Sequence, residues 1–155
     1  MNEAQLRTEI VEVGRRLWLR GFVAANDGNI SVRLGAGEFL TTPTGVSKGF
    51  MTPEMLVKVN DKGEVLSGKS KPSSELKMHL SVYAQRPDVK AVVHAHPPVS
   101  TAFAVCGRPL PKYVLPEVLL TIGQIPLTAY GTPSTDEIPQ ALSKHIADHE
   151  AFLLE

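Results

Sequence analysis

The chain has 155 residues, 43% of them hydrophobic and 21% charged, with 16 basic residues balanced by 16 acidic ones. That length and apolar content suffice for one buried core, so a single domain over residues 1–155 is expected, and nothing reads as disordered. The even charge, without long runs of one sign, excludes a footprint for duplex nucleic acid or anionic lipid, and no apolar stretch approaches the roughly 20 residues of a membrane span.

Leu6, Ile10, Val13 and Leu17 recur at helical spacing between Asn2, a good N-cap, and Gly21, a good stop, which predicts an amphipathic helix over about 3–20. Asn29 to Leu34 and Glu38 to Thr42 are β-prone runs around Gly35-Ala36-Gly37 and predict a hairpin. Thr52-Pro53-Glu54 opens a brief helix before a strand at Leu56 to Val59, and Asn60 to Gly63 turns the chain into Glu64 to Leu66. A helix from about Ser74 to Gln85 ends before Pro87, and a strand follows at Val89 to Ala95. Beyond Pro98 come a helix over Val99 to Val105, a Pro-punctuated region from Leu115 to Ile122 and a strand at Ile125 to Ala129. A capping box at Ser134 to Glu137 predicts a helix to about His149, and Ala151 to Leu154 reads as a buried strand. Hairpins first and helix-separated strands later imply an α/β fold, a mixed sheet covered by helices. The N-terminus, with Glu3, Arg7 and Glu9, is unlike a signal peptide, and the single cysteine, Cys106, fits a reducing compartment. The expectation is a cytoplasmic protein with Cys106 in packed core.

Chemistry concentrates at four places. His94 and His96 lie in Val-Val-His-Ala-His-Pro at the end of a predicted strand, where positions two apart share a face. Two imidazoles so placed can bind one cation; the plainer reading is a pair of hydrogen-bonded histidines, but burying two neighbouring rings calls for a shared partner. Pro72-Ser73-Ser74-Glu75 opens the preceding helix and combines two hydroxyls with free backbone N–H groups, a setting for a phosphate as well as ordinary capping chemistry. Asp27-Gly28-Asn29-Ile30-Ser31 and Thr42-Pro43-Thr44-Gly45 each set glycine beside small polar residues at a strand end, where they either turn the chain or approach a phosphate.

In order and wording these segments resemble the class II aldolase/adducin-head family, which includes fuculose-1-phosphate aldolase and ribulose-5-phosphate 4-epimerase, over nearly the whole chain. The resemblance implies a mixed, largely antiparallel sheet in a three-layer domain, zinc on His94 and His96, and Glu75 as catalytic acid/base. It implies phosphate binding by Gly28, Asn29, Thr44, Gly45, Ser73 and Ser74, a homotetramer, and a small phosphorylated sugar as substrate. A third histidine ligand is then expected just beyond Glu155, in a C-terminal part missing from this chain. The implied reaction is cleavage of a ketose 1-phosphate to dihydroxyacetone phosphate and an aldehyde. A 4-epimerase, a ketose-phosphate dehydratase and a noncatalytic adducin-head module are the alternatives. Tyr113 is the candidate for the aldehyde side. His79 is expected to be structural. His145 and His149, at i, i+4 spacing, could stand in for the third metal ligand but are expected to be solvated. Lys48 could reach a phosphate near the Thr44-Gly45 loop but is expected to be a solvated surface lysine.

Overall fold

The computed structural model describes residues 2–35, 37–111 and 115–155, and these form two compact units, 1–97 and 98–155. The first unit opens with helix α1, Glu3–Leu19. Its start follows the sequence reading: Asn2 and Gln5 exchange side-chain-to-backbone bonds of 2.9 and 3.0 Å as a capping box. Gly21, at φ 67°, ends the helix as only a residue without a Cβ does readily.

Strands β1 (Asn29–Gly35), β2 (Glu38–Thr41), β3 (Val57–Asn60) and β4 (Val65–Ser67) form an antiparallel meander, with a 3-10 turn at Pro53–Met55 before β3. Helix α2, Leu76–Gln85, then leads to β5, Ala91–His94, which crosses back to pair antiparallel with β1. The sheet order is therefore β4-β3-β2-β1-β5.

Side-chain alternation along the strands divides the core. Ile30 and Leu40 face one side with Ile10 of α1, Met51 and Leu56. Phe39, Val57 and Val59 face the other with Leu76 and Tyr83 of α2. Each fully buried side chain of this kind contributes about 1.5–3 kcal/mol relative to exposure, which makes this two-faced sandwich the stabilising centre of the unit. Arg33 ties the end of α2 to β1: its guanidinium donates to the Tyr83 and Val89 carbonyls at 2.8 and 3.1 Å and lies over the Tyr83 ring. The fold is mixed α/β with a five-stranded antiparallel sheet.

The second unit is helical, with α3 (Pro98–Val105), α4 (Pro116–Thr121) and α5 (Glu137–Ser143). Several expectations are corrected here. Residues 116–121 form a helix, with Pro116 at the first position where its missing N–H is harmless. The strands expected at 125–129 and 151–154 reduce to one parallel bridge, Leu127 to Leu153. The capping box does not form: Ser134 sits at φ 66°, and the Glu137 carboxylate accepts from the Thr132 N–H instead. α5 stops at Ser143, whose hydroxyl donates to the Gln140 carbonyl at 2.7 Å and competes with the ladder, and mixed turns carry the chain past His145 and His149. Cys106 is exposed rather than packed. No helix among the described residues is long and apolar enough to cross a membrane.

Candidate active site

Four loop segments of the first unit meet at one end of its sheet, and the backbone brings them there. Asn29, the first residue of β1, is paired with His94, the last of β5. Thr42, just past β2, returns to β1 through its N–H to the Ile30 carbonyl (2.9 Å), while the Ile30 N–H donates to its hydroxyl (3.1 Å). The next turn of chain is bound to the approach to α2: Pro43 bridges Pro72, the Thr44 N–H donates to the Lys71 carbonyl, and the Ser73 N–H donates to the Thr42 carbonyl, both at 3.1 Å. Residues far apart in sequence thus share one polar cleft of about 170 Å³.

Gly28, Asn29, Thr44, Gly45, Ser73 and Ser74, the six residues singled out as phosphate ligands, all line that cleft, together with Glu75 and His96. Gly28 is required by geometry: φ is 70°, and a Cβ would lie 2.9 Å from the His94 carbonyl oxygen and closer still to Val23. α2 begins two residues later than its sequence suggests, at Leu76, so Glu75 is the cap residue rather than part of the first turn. Its side chain makes no capping bond and is free to turn inward, where Oε2 accepts from Asn29 Nδ2 at 2.6 Å. That contact was not foreseen from the sequence, since nothing local links residues 46 positions apart.

The two histidines converge. His94 Nε2 and His96 Nε2 are 2.8 Å apart, and Glu75 Oε2 is 3.6 Å from His94 Nε2. The His96 N–H donates to the Phe22 carbonyl at 2.8 Å, which holds the chain after β5 in place. Burial, first, and the neighbouring His96 ring push His94 below the ordinary histidine range, against the opposing pull of the Glu75 and Asp27 carboxylates. A neutral imidazole offers a lone pair, and two such nitrogens facing one point suit a cation shared between them, which fits the donor chemistry of zinc. The pair is only part of a coordination sphere: among the described residues no group of three or more His, Cys, Asp or Glu side chains is arranged to hold a metal.

Behind the site, His79 is buried. Its Nδ1 lies 2.6 Å from the Ser31 hydroxyl, which in turn is 2.9 Å from the Tyr83 hydroxyl, while Nε2 has no partner. Desolvation, with a smaller contribution from His94, lowers its pKa to about 3. The unfolded chain, with an ordinary histidine, takes up this proton near pH 6.5, whereas the folded chain refuses it until about pH 3. Stability contributed by neutral His79 is therefore complete above pH 6.5 and is lost as pH falls toward 3. Urea unfolding across this window should show stability declining on acidification, with His79→Gln shallower by about one proton; an unchanged slope would refute the assignment.

Lys48 departs most from expectation. It is 1% exposed, not solvated, and it lines the cleft. His145 and His149 belong to the second unit, with ring centroids 5.9 Å apart. Tyr113 lies outside the described residues.

The chain belongs to the class II aldolase and adducin N-terminal domain family, whose sequence profile matches residues 8–155. It is 39% identical over 157 residues to the 3-oxo-tetronate 4-phosphate decarboxylase of Escherichia coli K12, covering 98% of this chain and 73% of that protein. It is 36% identical over 141 residues to the L-fuculose phosphate aldolase of Methanococcus maripaludis, covering 91% and 76%. Its fold superposes on the crystal structure of YgbL from Escherichia coli with a TM-score of 0.90 at 38% identity, covering 98% of this chain and 75% of that one. Decarboxylation was not among the reactions the motifs suggested, because the carboxylate-bearing substrate leaves no separate mark in them.

Proposed function

We propose that this chain carries the site of a metal-dependent lyase that breaks a carbon–carbon bond next to a carbonyl in a phosphorylated sugar or sugar acid. The observation that carries the reading is the convergence of His94 and His96, Nε2 to Nε2 at 2.8 Å, with the Glu75 carboxylate at the rim of a polar cleft. His94 and His96 would hold zinc, whose chemistry when bound is Lewis-acid polarisation of the substrate carbonyl. The backbone N–H groups of Gly45 and Ser74 and the hydroxyls of Thr44, Ser73 and Ser74, with Gly28 and Asn29, take the phosphate, which anchors and orients the substrate without reacting. Glu75, held by Asn29, moves the proton at the carbon that loses its bond.

Decarboxylation of a 3-oxo-tetronate 4-phosphate is the first reading: carbon dioxide leaves, its bonding electrons remain as an enolate, and Glu75 supplies the proton to carbon. Support comes from the 39% identity to a protein of that name. Retro-aldol cleavage of a ketose 1-phosphate to dihydroxyacetone phosphate is the second, supported by the 36% identity to the fuculose phosphate aldolase. Both need the same electron sink and proton carrier, so the cleft alone does not separate them. A cytoplasmic homotetramer belongs to the same proposal.

The test is a direct comparison on the zinc-loaded natural protein. Carbon dioxide release from 3-oxo-tetronate 4-phosphate should exceed dihydroxyacetone phosphate release from ketose 1-phosphates at least tenfold in kcat/KM. The reverse order selects the aldolase reading, and inertness toward both substrate classes overturns the lyase assignment.

A further inference from the structure

The charges lining the cleft are unfavourable to a phosphate unless one residue is counted. Asp27 and Glu75 bring two carboxylates to its wall, and among the described lining residues Lys48 is the one lysine or arginine. We infer that Lys48 is a phosphate-selecting residue, its buried ammonium supplying the positive charge that lets this cleft accept the phosphorylated end of a substrate; the inference rests on the proposed function above.

The placement of the side chain supports this. Lys48 Nζ donates to the Val46 carbonyl at 2.6 Å and to the Asn26 carbonyl at 3.2 Å. An ammonium has three N–H groups, so these two bonds leave one donor over in a residue only 1% exposed. A buried charge with an unmet donor is unfavourable until an acceptor arrives, and a phosphate oxygen between the Gly28 and Thr44 segments is such an acceptor. One carbonyl belongs to Asn26, in the segment before β1, and the other to Val46, in Lys48's own loop after β2, so Lys48 links those two segments. Its backbone packs closely on α1: a Cβ at Gly14 would lie 2.7 Å from the Lys48 carbonyl oxygen, an approach that a glycine there permits. Burial lowers the ammonium pKa, while the Asp27 carboxylate pulls it back toward the charged form. Asp27 is itself held, its Oδ1 accepting from the Ala24 N–H at 2.8 Å.

The decisive variant is Lys48→Gln. Glutamine keeps two N–H groups on one nitrogen and loses the charge; because its side chain is one bond shorter, the melting temperature is measured beside binding to confirm that the fold is retained. Lys48→Arg keeps the charge. Affinity for inorganic phosphate is measured by calorimetry or ³¹P NMR on the folded natural protein, alongside kcat and KM for the phosphorylated substrate. We expect K48Q to weaken phosphate binding about tenfold or more, to flatten its salt dependence, and to raise KM more than it lowers kcat. K48R should recover most of the affinity. Wild-type affinity in K48Q would overturn the assignment of Lys48 while leaving the lyase reading intact. Absence of any millimolar phosphate binding by the wild type would instead overturn the reading of this cleft as a phosphate site.

Discussion

On the proposed zinc site, replacing His94 by alanine should drop the metal content from an expected value of about one ion per subunit to below about 0.1, and should lower activity by about a thousandfold or more. The reason is geometric. His94 and His96 face each other with Nε2 atoms 2.8 Å apart, so removing one ring leaves a single imidazole where a cation needs several donors. The fold should survive, because β5 is held to β1 by backbone pairing from Ala91 to His94 that does not involve the imidazole. Two measurements separate site loss from unfolding. Added zinc should raise the melting temperature of the parent but not of H94A, since a ligand that binds only the folded state stabilises it by mass action. The metal-free forms should melt close together. An H94A protein that holds as much zinc as its parent would show that the histidine pair is not the metal site.

Glu75→Gln should behave in the opposite way, retaining zinc while losing turnover. The change preserves shape, and the amide oxygen can still accept from Asn29 Nδ2, which now contacts Glu75 at 2.6 Å. What disappears is a group able to take and return a proton, a contribution of about 10²–10⁴ in rate. Zinc content should match the parent and KM should change by no more than a few-fold, so that the loss lies in kcat. A turnover within about threefold of the parent would remove Glu75 from the chemistry and leave it as a cap residue of α2. Read together, the two variants separate metal binding from proton transfer.

Much of the site was legible because its signals are local. A His-X-His at a predicted strand end pointed to two converging rings, although β5 ends at His94 and His96 is placed by its N–H bond to the Phe22 carbonyl rather than by the pleat. Glycine at positive φ marked the turns at Gly28 and Gly45, and Pro72 to Glu75 marked the start of a helix. What failed depended on competition between nearby groups. The capping box at Ser134 lost to a bond between Glu137 and Thr132, and the last helix was cut short after a serine that bonds its own backbone. Lys48 was misjudged for a related reason: composition treats lysine as a surface residue, but here its stem is covered and two carbonyls meet its ammonium.

By itself the sequence determined the elements of the first unit, the pairing of the β1–β2 hairpin, and the residue types available for a metal and a phosphate, since these follow from periodicity, capping and turn chemistry within a few residues. Only the tertiary structure decided that β5 returns to the free edge of β1, which sets His94 opposite Asn29. It also decided that the Thr44 and Ser73 loops are bonded into one cleft and that Asn29 holds Glu75. Those contacts join segments tens of residues apart. They arise because strand edges and buried polar groups must find partners wherever the packed chain offers them.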